Sequence, residues 1–304
     1  MSIRKQLRGP IMECVPNFSD GRSKKVIDTI RNEIDSVANV KVLDAHSDFD
    51  HNRSVITFAG KPDAVGEAAV AAVRASARLI DLREHRGVHP RIGAADVIPF
   101  VPIRDCIMDD CIKMARNVAK RIWTEDGIPT YLYGNAALRE DRVRLEKVRL
   151  KGFEQMRELV LKDKKKAPDF GGPGLHPTAG ASIVGAREPL IAYNVNLKST
   201  DLDIAQEIAE EIREKNSGLE GLKAMGLRLS SCKCVQVSMN ITKTEKVSPY
   251  RVFEIIREKA AVRGVEVECS ELVGLMPLGA VLDSTKESVR LENFDRSRII
   301  ELSL

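Results

Sequence analysis

Apolar residues recur along this chain in two rhythms that alternate. Met12 to Val15 is a short apolar run. Asn17-Phe18-Ser19-Asp20-Gly21 follows as a turn, with Ser19 or Asp20 able to cap what comes next. From Ser23 to Val37 the apolar positions Val26, Ile27, Ile30 and Ile34 fall on one helical stripe. Val40 to Leu43 and Ser54 to Phe58 read as strands, joined by the polar stretch Asp44 to Arg53. Asp63 to Leu82 is an Ala-rich helix, and a loop then leads into the apolar strand Ala94 to Val101. Strand, helix, strand, strand, helix, strand predicts a sheet with both helices on one face, the ferredoxin-like arrangement. Beyond it, Asp109 to Glu125 is helical, Thr130 to Tyr133 a strand, and Asn135 to Leu161 a charged, mostly helical stretch read as a solvated face.

The Gly/Pro-rich run Ala167 to Gly180 is the natural boundary. A bland linker needs no Phe170, Leu175 or His176, so its glycines also suit close approach to a ligand, as hinge and wall at once. After Gly180 the rhythm returns: strand Leu190 to Asn196, helix Leu202 to Lys215, strand Lys233 to Ile241, helix Ser248 to Val262, strand Val265 to Cys269. Ser248 is the expected N-cap and Pro249 the first helical residue. Two similar halves follow: an α/β (α+β) chain with an N-terminal extension (1–11), a first subdomain (12–180) and a second (181–304). Facing half-sheets would leave a ligand cleft between them.

Composition narrows the class. Over 304 residues, 43% hydrophobic and 30% charged, the chain is globular rather than disordered. A net charge of +4 implies no polyanion partner, and 4% aromatics argues against a stacking platform for nucleic acid. Six cysteines at no metal or redox spacing are expected to be free, buried or half-buried thiols. With no secretory signal and no membrane-length apolar run, a cytoplasmic protein is expected.

Candidate chemistry centres on Arg83 to Phe100. Gly87 and Pro90 make its first part a loop, carrying His85, His89 and three arginines. His89 can exchange a proton near neutral pH, and Arg91 can hold a carboxylate. His85, between Glu84 and Arg86, reads as a solvated loop residue. The four-residue spacing of the two histidines lacks a helix and further ligands, so no metal is expected. His46 and His51, among Asp44, Asp48 and Asp50, read as a hydrogen-bonded turn. No P-loop, dinucleotide fingerprint or nucleophile elbow occurs.

Four segments in order carry a more specific signal: Glu13 to Gly21, Asp50 to Val55, Gly87 to Asp96 and Ala167 to Gly171. Together they resemble the glutamate formimidoyltransferase (formiminotransferase) family, from about Met12 to about Asp283. The resemblance implies two ferredoxin-like βαββαβ-type subdomains with a folate tunnel between them. It implies formimino transfer from N-formimino-L-glutamate to N5 of tetrahydrofolate, in histidine breakdown. Tetrahydrofolate would be co-substrate, with no metal; the partners would be these small molecules, with no nucleic acid or membrane, and a homodimer is expected. The chain reaches only Leu304, so the cyclodeaminase activity of bifunctional relatives is expected to be missing. The family's catalytic histidine falls on His89. Its folate segment falls on Gly171, Gly172, Pro173, Gly174, Leu175, His176, Pro177, Thr178, Ala179 and Gly180, and a second, less close, on Gly218 to Gly226. Asn52 and Arg91 join them as substrate-binding candidates. His46 departs from the acid expected there. A non-catalytic folate-binding protein, or formyl transfer, is the alternative.

Overall fold

The computed structural model describes residues 9–49, 51–87, 90–149, 152–229 and 233–303. The chain divides into two compact units after Glu188. The first begins with β1 (Ile11–Cys14), β2 (Asn17–Phe18), α1 (Lys24–Asp35), β3 (Val40–Asp48), β4 (Arg53–Gly60), α2 (Pro62–Leu79) and β5 (Ala95–Arg104). It continues with α3 (Met108–Asp126), β6 (Thr130–Gly134), α4 (Leu145–Arg149), α5 (Gly152–Lys162) and β7 (Ser182–Ala186).

β1 and β2 form one interrupted strand between β4 and β5, antiparallel to both, and β3 extends the sheet beyond β4. This is the expected βαββαβ core. β5, β7 and β6 then pair in parallel, so the sheet has seven strands. Parallel strands are covered on both faces. Ile98, Phe100, Leu132 and Val184 pack with Ile30, Val73 and Val118 from α1, α2 and α3. Val97, Tyr131, Tyr133 and Ile183 pack with Val148 and Met156 from α4 and α5. That double covering explains why β5 is apolar without alternation.

Two readings change. The polar stretch after Leu43 is not a connection, because β3 runs on to Asp48, which pairs with Arg53 of β4. One face of β3 is half-buried and the other exposed, so alternating polar residues suit it. The Gly171–Gly180 segment is not a hinge between units, since it lies within the first and is hydrogen-bonded into it. Leu82 N–H donates to Thr178 O, Ala94 N–H to Ala179 O and Ala181 N–H to Ile92 O, each at 2.9 Å.

The second unit has β8 (Ile191–Leu197), α6 (Leu202–Ile212), β9 (Leu222–Leu229), β10 (Cys234–Ile241), α7 (Pro249–Val262), β11 (Val267–Val273) and α8 (Leu278–Ser288). Its strands are all antiparallel, in the order β11-β8-β10-β9, the ferredoxin-like pattern again. Ile208 and Ala209 of α6 and Val252 and Ile256 of α7 bury against Val195, Val237 and Met239. Ser248 caps α7, its Oγ accepting from Arg251 N–H at 3.1 Å.

The cysteines differ from expectation. Cys14, Cys106, Cys111 and Cys269 are free, with Cys269 exposed, but Cys234 is disulfide-bonded. Among the described residues, no helix is long and apolar enough to cross a membrane.

Candidate functional site

Three segments of the first unit meet at one end of the sheet. They are the turn after β2, the tip of the β3–β4 hairpin, and the loop between α2 and β5. Asn17, Phe18, Ser19, His51, Asn52, Arg53, His85, Arg91 and Asp96 line a pocket there.

Asn52 fastens the three together. Its backbone is left-handed (φ 49°), a conformation Asn tolerates better than most residues. Its side-chain oxygen accepts from Gly21 N–H at 3.0 Å and its amide donates to Arg86 O at 3.0 Å. Its backbone carbonyl accepts from His85 Nε2 at 2.9 Å. Beside it, His51 Nδ1 lies 2.6 Å from Asp48 Oδ2, the hydrogen-bonded turn expected of these residues.

His85 is not a solvated loop residue; it is 7% exposed. A carbonyl can only accept, so Nε2 carries the proton and Nδ1 is left as a lone pair. That Nδ1 is buried without a hydrogen-bond partner. Burial pushes the imidazole below its usual range, and the charge of Arg91 adds to the effect. The ring is therefore neutral at physiological pH, with a base nitrogen unengaged.

Arg91 donates to Glu154 Oε1 at 2.9 Å and to His85 O at 3.2 Å, bracing the loop. Asp96 is 3% exposed and fully engaged. Its Oδ1 accepts from Ile92 and Gly93 N–H at 2.7 and 3.2 Å, and its Oδ2 from Arg149 at 3.0 Å. Arg53 donates to Asn17 Oδ1. Burial, reinforced by the neighbouring Arg149 charge, lowers the Arg53 pKa to about 10, still cationic at neutral pH.

The structure thus brings the candidates Asn52 and Arg91 into one pocket with His51, Arg53, His85 and Asp96. His89 lies outside the described residues. The segment Gly171 to Gly180 meets the root of the same loop, at Leu82 and from Ile92 to Ala94. Gly171 sits against the Trp123 ring, where a Cβ would approach to 2.6 Å. The Gly172–Pro173 bond is cis. Leu175 packs into the core. His176 Nδ1 accepts from Ala179 N–H at 3.0 Å, and burial lowers its pKa. Gly180 leaves no room for a side chain, since a Cβ there would lie 2.0 Å from Ile92 O. In the second candidate segment, Gly226 lies tight against α6, a Cβ meeting Gln206 N at 2.4 Å. His46 is half-buried in β3, paired with Val55.

Reasoning from sequence assigned no task to Arg53, Asp96 or Arg149. The first two stand inside the motifs that carried the resemblance, which was the available signal. Arg149, in a stretch read as solvated, gave none.

Comparison with known proteins agrees with this architecture. Residues 11–187 match the model of the formiminotransferase domain, N-terminal subdomain, and residues 192–301 that of the formiminotransferase domain. The gap between the matches spans the division between the two units. A Thermoplasma acidophilum protein named glutamate formimidoyltransferase is 47% identical over 293 residues, 96% of each chain. A Streptococcus pyogenes protein of the same name is 45% identical, covering 94% of this chain and 95% of that one. The formimidoyltransferase-cyclodeaminase of Rattus norvegicus is 40% identical over 90% of this chain and 51% of its own length.

Proposed function

The chain belongs to the formiminotransferase family, and on that premise we propose that it is a glutamate formimidoyltransferase. It moves the formimino group of N-formimino-L-glutamate to N5 of tetrahydrofolate, releasing L-glutamate and 5-formiminotetrahydrofolate. The observation that carries this is the 47% identity, over 96% of both chains, to a protein of that name.

The reaction sets the demands on the site. N5 of the pterin attacks the electrophilic formimino carbon and forms a tetrahedral intermediate. That intermediate collapses by breaking the bond to the glutamate nitrogen. An amide anion leaves poorly, so this nitrogen must gain a proton as the bond breaks, while N5 loses one. A single imidazole can take the proton that N5 loses and deliver it to the glutamate nitrogen, an effect of about 10²–10⁴-fold. His89 is assigned that role. What supports it is the motif Gly87 to Asp96 that carries the family resemblance; the described residues on either side are held by Asn52 on Arg86 O and by Asp96 on the Ile92 and Gly93 amides.

Gly171 to Gly180 is assigned to folate binding. Gly172, at φ +117°, presents backbone with only Pro168 within reach of a Cβ, so a flat ligand could approach it closely. A cytoplasmic location and a homodimer complete the reading. The test is direct. Purified protein, tetrahydrofolate and formiminoglutamate are mixed and 5-formiminotetrahydrofolate is followed by absorbance. Turnover that requires all three components is expected; no product with all three present would remove the assignment.

A further inference from the structure

Arg53 is the least satisfied charge among the described residues of the pocket. It opens β4 opposite Asp48, and its side chain donates to a neutral oxygen, Asn17 Oδ1. Its Nε is buried with no hydrogen-bond partner. The carboxylates near it are committed to others. Asp48 holds His51 at 2.6 Å, and Asp96 holds Arg149 at 3.0 Å together with two backbone amides. Arg91, the other cation lining the pocket, is alike: one terminal nitrogen makes its bonds, and its Nε is buried and unpartnered. Its one carboxylate, Glu154, stands 61% exposed at the rim.

A guanidinium taken out of water without a contacting anion is costly, and such groups are retained where an anion completes them. Planar forks with free N–H groups match a carboxylate. The proposed reaction offers two kinds of carboxylate. In folate they end the tail, separated from N5 by the aminobenzoyl group. In the donor, the α-carboxylate is one carbon away from the nitrogen bearing the formimino group. Arg91 is two residues from the assigned proton carrier. A carboxylate held beside the reacting atoms is therefore the donor's.

We propose that Arg53, together with Arg91, forms a carboxylate subsite that receives the glutamate portion of the formimino donor. This rests on the function proposed above. Arg53 would then set donor specificity: a formimino group on a molecule without that carboxylate would leave two buried Nε groups unpaired.

The test has two arms. In the first, calorimetry on the wild-type protein compares glutarate with glutaramide, the same skeleton without charge. Glutarate is expected to bind once per chain and glutaramide not at all. In the second, Arg53→Lys keeps the charge and loses the fork, and Arg53→Met loses both. The donor KM and the glutarate Kd are expected to rise at least about tenfold in the first variant and further in the second. KM for tetrahydrofolate, and for tetrahydropteroate, which lacks the glutamate tail, should stay within about twofold. Unchanged donor KM in a folded variant overturns the proposal, as does failure of the wild type to bind glutarate. A raised KM for tetrahydrofolate but not tetrahydropteroate overturns it too, placing the folate tail there instead. Absent wild-type turnover with glutarate binding intact strikes the function and spares the subsite.

Discussion

Replacing Asp96 by Asn removes one charge and keeps the shape. In the native protein its Oδ1 accepts two backbone amides and its Oδ2 faces Arg149, with side-chain exposures of 4% and 15% for the pair. The asparagine oxygen can still accept from Ile92 and Gly93. Its NH₂ group must then point at the guanidinium, donor against donor. Arg149 is left buried without its anion, and its charge already bears on Arg53. Breaking one side of a buried pair costs about 3–5 kcal/mol. For a unit of this size each kcal/mol moves Tm by roughly 2–4 °C, so a fall of about 6–20 °C is expected. Thermal unfolding followed by circular dichroism measures it. The control is Asp96→Asn combined with Arg149→Met, which removes the stranded cation and should recover much of the loss, since contacting residues do not contribute additively. A fall under about 3 °C refutes the reasoning. So does a double variant that loses the sum of the two single effects.

Further outcomes follow from the same geometry. His89→Ala should lower turnover by at least about a hundredfold, as loss of an acid/base group does, with the circular dichroism spectrum unchanged; a mild effect there and a severe one for His85→Ala would move the proton carrier to His85. His85 has a folded pKa lowered by burial, so its contribution to stability is present above its unfolded value near 6.5 and is lost as pH falls towards the folded value. Wild-type Tm should therefore drop between pH 7.5 and 5.5 more than that of His85→Asn, and equal drops would contradict this. Gly180→Val should act on folding rather than on ligand affinity, because its φ is +70° and a Cβ would lie 2.0 Å from Ile92 O and 2.8 Å from Leu82 Cδ1. A normal Tm with weakened folate binding would show the reverse.

Much of the fold was legible because local rules and tertiary packing agree. The stripe Ile27, Ile30 and Ile34 is the buried face of α1, and Ser248-Pro249 opens α7 as capping chemistry requires. What escaped depended on partners distant in sequence. β7, only five residues long and directly after a Gly/Pro run, is recognisable only once β5 and β6 flank it in parallel. β9 contains Gly226, which weakens a strand signal and is explained by the close approach of α6. β3 is polar for most of its length because its sheet partner is on one side only. In the site, Asn52 and Arg91 were nominated by motif, but their work as fasteners shows only in space. His85 was misjudged because flanking charges say nothing about where a ring points.

The central claim is transfer, as opposed to hydrolysis of the donor or mere binding of folate. One measurement separates these: a single-turnover reaction with donor carrying ¹³C in the formimino carbon, followed by NMR alongside free glutamate. The account predicts that one labelled formimino group appears on N5 of tetrahydrofolate for each glutamate released, and that no glutamate is released when tetrahydrofolate is omitted. Label recovered as formamide or formate, or glutamate released without tetrahydrofolate, would contradict it.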